Sequence, residues 1–229
     1  MENTKKSQFT ELALVFLGTL GTIKILYEFR SGSFIGHYLS TITAFLLIYP
    51  CVLTVSLRKR PLIFFEKNLH SVLFSLKTFF LTALVIFPPF LFLNHIYQHI
   101  VFKWPLMLSP YLHIPPAFWE LLLIQTLLVG LPEEFFFRGY VQTTLHPFLS
   151  QKIGCLKKIQ IDASWAIPAS AFIFAFSHSF ITFRWWHFSI FFPALVFGWL
   201  REKTNGLIAP ILFHALSNLL MNLIQMAYR

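Results

Sequence analysis

Long apolar runs dominate this chain, and short polar stretches separate them. A helix that rises 1.5 Å per residue needs about 20 apolar residues to cross a hydrocarbon core of ~30 Å. Seven runs are predicted as spans, at 10–29, 34–57, 70–94, 117–148, 164–181, 186–200 and 206–228. The run at 186–200 is the shortest, and a Gly-x-Pro sequence interrupts the one at 117–148. The pattern predicts an all-α, polytopic membrane bundle of about seven to eight transmembrane helices, folded as a single domain over 1–229.

The composition excludes a water-soluble domain. Hydrophobic residues make up 56% of the chain and charged residues 12%, whereas about a quarter of the residues in a soluble domain are charged. The same apolar excess excludes a disordered chain. Cys51 in an apolar run and Cys155 in a basic loop are poorly placed to pair, so no disulfide is predicted. No A-x-A-like cleavage site follows the first apolar run, which is therefore interpreted as an uncleaved span.

The basic residues predict the orientation of the chain. The formal net charge is +9, but the lysines and arginines cluster in short loops between apolar runs, so a membrane explains them better than a nucleic-acid partner does. Cytosolic loops carry the excess of positive charge, and the basic side of the predicted bundle includes the N-terminus, which is therefore expected in the cytosol. Eleven basic residues lie on that side and four on the other: Lys5, Lys6, Arg58, Lys59, Arg60, Lys67, Lys152, Lys157, Lys158, Arg201 and Lys203, against Arg30, Lys103, Arg184 and Arg229.

The segment 95–116 is predicted to form an interfacial loop on the outer side. It contains four prolines and several aromatic residues. His95 and His99 stand four residues apart, a spacing that could hold a metal, but no third ligand is evident. Residues of an aromatic belt at the membrane surface are the favoured interpretation.

Three ionisable residues lie together inside a predicted span, at Glu133, Glu134 and Arg138. Charges inside a bilayer are costly and are functional-site hypotheses by default. Pro132 suits the first turn of a helix, so the helix is expected to restart near Leu131. Glu134 and Arg138 are four residues apart and predict a fixed ion pair, which leaves Glu133 without a local cation and suited to act as a general base. The alternatives are a purely architectural salt-bridge network and an acid of an ion pathway.

Two further polar positions lie in later spans. His178 follows Phe174 by one helical turn, and His214 and Asn218 are also four residues apart, so each pair shares a helix face. Singly, each has an ordinary explanation as a hydrogen-bonded core residue or as a polar contact between helices. Counting 1.5 Å per residue places Glu133 and both histidines broadly in the cytosolic half of the membrane. Together they predict a water-accessible cavity inside the bilayer.

In order, these residues form EExxxR (Glu133, Glu134, Arg138), FxxxH (Phe174, His178) and HxxxN (His214, Asn218). The triple resembles the three motifs of the CPBP family, which comprises CAAX proteases and bacteriocin-processing enzymes and includes the Ras-converting type. The resemblance covers about 117–222 and implies a catalytic core there. It implies an intramembrane glutamate-dependent endopeptidase in which Glu133 and His178 activate water and His214 and Asn218 form the oxyanion site. Glu134 and Arg138 would brace the site.

The resemblance also bears on cofactors and substrates. The family has been described as metalloproteases as well, and Glu133, His178 and His214 are a usable zinc set. A metal-free mechanism without a cofactor is ranked first, because HExxH is absent. The implied substrates are membrane-embedded or lipid-anchored proteins or peptides cut near the C-terminus. The compact chain favours a prokaryotic inner-membrane protein.

Non-enzymatic functions are the alternative interpretation. A membrane transporter, or a scaffold such as a bacteriocin-immunity protein, could use the buried charges structurally. A transporter would be expected to contain inverted repeats, and none is found in the sequence. A catalytically silent relative should have lost a motif residue, and none is missing.

Overall fold

The computed structural model describes residues 2–31, 34–58, 64–104, 116–151 and 163–227. The regular structure of these residues is helical, as predicted. Cys155, much of the proposed outer loop at 95–116, and six of the basic loop residues lie outside the described residues; these six are Lys59, Arg60, Lys152, Lys157, Lys158 and Arg229. The prediction of an all-α membrane protein is confirmed, and the described residues contain seven helices, four of which could span a membrane.

Seven helical segments follow one another in the part of the chain that the structure describes. Their bounds are α1 Glu2–Glu28, α2 Phe34–Arg58, α3 Leu69–Phe102, α4 at 118–149, α5 Ala166–Thr182, α6 Phe191–Thr204 and α7 Ile208–Ala227. A short 3₁₀ helix, Trp185–Ile190, leads into α6. Asn68 caps the start of α3 by accepting a hydrogen bond from the backbone N–H of Ser71 at 2.9 Å.

Within the described residues, four helices are long and apolar enough to cross a membrane. These stretches are Ser7–Glu28, Phe34–Leu57, Leu69–Phe102 and Ile208–Met226. Helix α5 is apolar but has only 17 residues. The prediction of a span at 186–200 is wrong as drawn, because this stretch is divided between the 3₁₀ helix and α6, whose 14 residues are too few to cross a ~30 Å core perpendicularly.

Helix α3 is longer than its apolar run indicated. It continues through His95 and His99 to Phe102, so the first part of the predicted outer loop is helical. His95 is buried, and a ring nitrogen of His99 lies 2.6 Å from the carbonyl oxygen of Trp104. The loop prediction fails here because backbone groups beside a bilayer are best satisfied by internal helical hydrogen bonds, even where the side chains are polar.

Helix α4 has no break at Pro132, contrary to the prediction of a restart near Leu131. The backbone stays helical through Gly130, and the N–H of Leu131 bonds to the carbonyl of Thr126, five residues back. Two π-helical stretches, Gln125–Gly130 and Phe135–Gln142, alternate with α-helical turns. The wider π-helical turn accommodates Pro132, which has no N–H to donate, without a break in the helix.

Helix α4 is the central helix and packs against α2, α5, α6 and α7. Its approach to α7 is close because Gly130 has no side chain. A Cβ at this position would lie 3.0 Å from the carbonyl oxygen of Gln125 and 3.2 Å from that of Ile211 on α7. Both neighbours are backbone atoms, which cannot rotate away.

Gly130→Ala is expected to destabilise the protein by about 1–3 kcal/mol, because the added methyl group forces α4 and α7 apart. The free energy of unfolding in detergent measures this effect. Gly21→Ala is the matched control, since a Cβ at Gly21 in α1 meets nothing within 4 Å. If the two variants were equally stable, the close contact would not limit the packing of α4 against α7.

Candidate active site

The centre of the bundle contains a fully buried ion pair. Arg138 Nη1 donates to Glu134 Oε1 at 3.0 Å, and both side chains are 0% exposed. Arg138 Nη2 donates to the carbonyl oxygen of Ala194 on α6 at 3.1 Å. Because an unpaired charge in this position would cost several kcal/mol, each partner requires the other. The ion pair predicted from the four-residue spacing is present, and it connects α4 to α6.

Two phenylalanines enclose the arginine. The guanidinium carbon of Arg138 lies 4.4 Å from the ring centre of Phe174 and 5.0 Å from that of Phe197. Aromatic faces stabilise a desolvated guanidinium. Phe197 also stacks on His214, with ring centres 4.7 Å apart and an angle of 15° between the planes. The motif residue Phe174 therefore supports the cation as well as preceding His178, and Phe197 on α6 has the same function without belonging to any recognised motif.

His214 lies between the two glutamates. Its Nδ1 donates to Glu134 Oε1 at 2.8 Å, since an ionised carboxylate can only accept. Its Nε2 lies 3.8 Å from Oε2 of Glu133. Oxygen Oε1 of Glu134 therefore receives hydrogen bonds from both Arg138 and His214, which fixes the imidazole plane of His214 with Nε2 facing Glu133.

Glu133 is the acid without a fixed partner. Its Oε2 is buried and accepts no hydrogen bond from the described residues. Nε2 of His178 lies 3.7 Å from this oxygen. The other ring nitrogen of His178 donates to the carbonyl oxygen of Phe174 at 3.0 Å, which leaves Nε2 facing Glu133. Two imidazole nitrogens from different helices thus converge on one carboxylate oxygen.

A small cavity adjoins Glu133 and His178. Its volume is about 60 Å³, enough for at least one water molecule. Helices α1 and α2 form the opposite wall. The lining residues are Phe16, Thr19, Leu20, Ile23, Thr43, Leu47, Glu133, Phe136, Phe137, Ser177, His178 and Ile181. Two larger cavities, of about 500 and 560 Å³, do not border any of the predicted catalytic residues.

Asn218 lies one turn beyond His214 on α7 and contacts a residue that the sequence did not single out. Its Nδ2 donates to Oε1 of Gln125 on α4 at 3.0 Å. The described structure gives no hydrogen bond between Asn218 and the other predicted site residues. Gln125 lies eight residues before Glu133 and belongs to no motif, so only the contact between α4 and α7 reveals it.

The possible zinc set is not arranged as a metal site. Among the described residues, no group of three or more His, Cys, Asp and Glu side chains could hold a metal ion. Nδ1 of His178 bonds to a backbone carbonyl, and Nδ1 of His214 bonds to Glu134. The Nε2 atoms of both histidines lie 3.7–3.8 Å from the same oxygen of Glu133. Metal-bound histidines make the same kind of bond through their second ring nitrogen, so these bonds do not separate the two mechanisms, and the ranking of the metal-free mechanism first stays a prediction.

Comparisons with known proteins give one positive result. Residues 115–220 match a protein-family model described as Type II CAAX prenyl endopeptidase Rce1-like. The match covers all three motifs and most of helices α4 to α7. No curated protein and no solved structure matches the chain.

Arg138→Ala is expected to lower the free energy of unfolding by about 3–5 kcal/mol, because it leaves Glu134 buried without its cation. Denaturant unfolding in detergent measures the change. Lys77→Ala on α3 removes an exposed cation and should change stability by no more than about 0.5 kcal/mol. An Arg138→Ala protein as stable and as active as the wild type would contradict a bracing function of the ion pair.

Proposed function

Since residues 115–220 make this chain a member of the Rce1-like CAAX proteases, and so an intramembrane endopeptidase, we propose that it hydrolyses peptide bonds with Glu133 as the general base. The family membership favours the enzyme over the transporter and scaffold alternatives. The observation that carries the proposal is the buried Oε2 of Glu133, which has no hydrogen-bond donor among the described residues and faces Nε2 of both His178 and His214.

The first step activates water. A water molecule in the cavity beside Glu133 and His178 can contact the free carboxylate oxygen and the Nε2 lone pair of His178. Glu133 takes one proton from this water, and the resulting hydroxide forms a bond to the carbonyl carbon of the substrate. General-base catalysis of this kind typically contributes about 10²–10⁴ to the rate. His178 orients the water by accepting a hydrogen bond from its second hydrogen, which stays on the hydroxide.

The second group stabilises the tetrahedral intermediate. As the carbonyl π electrons move onto oxygen, His214 Nε2–H and Asn218 Nδ2–H donate to the developing oxyanion. For this donation His214 carries protons on both nitrogens throughout the reaction. Because Glu133 has by then taken a proton from the water, the negative charges of this state are those of Glu134 and the oxyanion. The guanidinium of Arg138 and the imidazolium of His214 balance them, which leaves the site neutral. Neutrality of the cluster lowers the desolvation penalty inside the bilayer.

Collapse of the intermediate completes the reaction. The C–N bond breaks, and the proton held by Glu133 passes to the leaving nitrogen, so the products are a new carboxyl end and a new amine. The ion pair of Glu134 and Arg138 takes no part in bond making and holds His214 in place. Because the donors are fixed before substrate arrives, little reorganisation is needed when charge develops.

The substrate and the orientation of the chain belong to the same proposal. A site among membrane-spanning helices is suited to a membrane-embedded or lipid-anchored protein or peptide that is cut near its C-terminus. The excess of basic residues on one side supports a cytosolic N-terminus, and a prokaryotic inner membrane is the proposed location.

Glu133→Gln is expected to leave the protein folded and to lower kcat on a C-terminal membrane peptide by on the order of 10²–10⁴-fold, because the amide cannot take a proton at neutral pH. A cleavage assay on the purified protein in detergent measures kcat. Glu120→Gln is the matched control on the same helix, since Glu120 is exposed and remote from the ion pair.

The same assay tests the metal-free mechanism. Activity should persist after treatment with a strong chelator and after removal of metal to substoichiometric levels. Loss of activity on chelation, recovery with zinc and stoichiometric zinc in the active protein would together overturn the proposed mechanism in favour of a metalloprotease. Full activity of Glu133→Gln would remove the general base.

His214→Ala and Asn218→Ala are each expected to lower kcat by about a hundredfold or more, with a smaller change in KM, because an oxyanion donor acts mainly in the transition state. Steady-state kinetics on the same peptide separate the two parameters. An unchanged kcat in both variants would exclude the oxyanion assignment. Circular dichroism of the purified variants establishes that α7 is intact.

A further inference from the structure

The contact between Gln125 and Asn218 pairs the amide nitrogen of Asn218 with an acceptor oxygen. The amide nitrogen of Asn218 donates one hydrogen to Oε1 of Gln125 at 3.0 Å. The nitrogen has a second hydrogen, which Gln125 does not use. A carboxamide has a donor end and an acceptor end of almost the same size and shape, so packing alone does not distinguish them. In this structure Gln125 presents its acceptor end, Oε1, to the amide nitrogen of Asn218.

This choice of end has a chemical consequence in the active site. An oxyanion is stabilised by the N–H of an amide and repelled by its carbonyl oxygen. If the carboxamide of Asn218 were turned over, Oδ1 would replace Nδ2 and the residue would oppose the reaction. A hydrogen bond that holds the nitrogen in one position therefore protects a catalytic contact, and its loss would affect the transition state more than substrate binding.

The fold explains why Gln125 reaches Asn218. Eight residues of α-helix make about 2.2 turns, so Gln125 and Glu133 would point in different directions on a regular helix. The π-helical stretch Gln125–Gly130 takes up roughly one residue more per turn, which brings eight residues close to two whole turns. The absence of a side chain at Gly130 then allows α7 to approach between these two positions.

We propose that Gln125 is a positioning residue of the oxyanion site, acting through Asn218 as a hydrogen-bond acceptor for its amide nitrogen. The proposal rests on the proposed function, since it assigns Asn218 to the oxyanion. Gln125 does not contact the reacting atoms. Gln125 contributes the acceptor atom Oε1. A side chain of similar volume or polarity that lacks an acceptor would not replace it.

Three substitutions separate an acceptor from a spacer. Gln125→Met keeps the length of the side chain and removes the strong acceptor; kcat should fall by about tenfold to a hundredfold with little change in KM. Gln125→Glu supplies a carboxylate that only accepts, and should retain most of the kcat lost in Gln125→Met. Gln125→Lys supplies only donors, so the amide of Asn218 turns over and kcat should fall to about that of Asn218→Ala.

The matched control is Thr126→Val on the same π-helical stretch. The hydroxyl of Thr126 donates to the backbone carbonyl of Leu122 within α4 and does not reach α7. This variant should retain the wild-type kcat. Unfolding of all variants is followed in the same detergent, so that a loss of kcat can be compared with any loss of stability.

A double-mutant cycle distinguishes failure of this proposal from failure of the proposed function. If Asn218→Ala slows turnover, adding Gln125→Met should cause no further loss, because the residue that Gln125 positions is already absent. A wild-type kcat in Gln125→Met, a Gln125→Glu protein as slow as Gln125→Met, or additive losses in the double variant would each overturn the positioning role and leave the mechanism standing. Wild-type turnover in Asn218→Ala would overturn both.

Discussion

The buried contact of Glu134 with Arg138 and His214 is the interaction on which the rest of the site depends. An isolated charge in this fully desolvated position would be too costly, so the glutamate requires two donors and the guanidinium requires its carboxylate and its two aromatic faces. Those donors come from α4 and α7, and the guanidinium also binds α6. Satisfying one charge therefore fixes three helices relative to one another and leaves the imidazole of His214 in a single orientation.

The second acid acquires its character from this arrangement. Arg138 Nη1 and His214 Nδ1 both donate to Glu134, whereas Oε2 of Glu133 is buried and accepts no hydrogen bond from the described residues. This oxygen faces the two imidazoles, and a small cavity adjoins Glu133. Two adjacent glutamates on one helix thus have different properties because they point about 100° apart. A proposed division between a structural acid and a reactive acid follows from helix geometry, and a family of endopeptidases supplies the chemical context for it.

Several features were predictable from the sequence. Apolar runs predicted the all-α fold of the described residues, because a backbone in lipid must satisfy its own hydrogen bonds, and the four-residue spacing predicted the pair of Glu134 and Arg138. The predictions failed where backbone hydrogen bonding overrode side-chain character. Helix α3 continues through His95 although its side chains are polar, and α4 continues through Pro132, directly after a π-helical stretch, instead of breaking. The catalytic roles of the motif residues stay predictions.

The sequence by itself determined the class of the protein, the order of its helices and the residue types available for chemistry, because hydropathy and i, i+4 spacing are local properties of a chain. Only the tertiary structure decided which donors face which acid and that Gln125 meets Asn218 across α4 and α7. Such contacts depend on helix phase and on the distance between helices. A widened turn at Gln125–Gly130 and a missing side chain at Gly130 set both, and neither the phase nor the distance can be read from residue spacing alone.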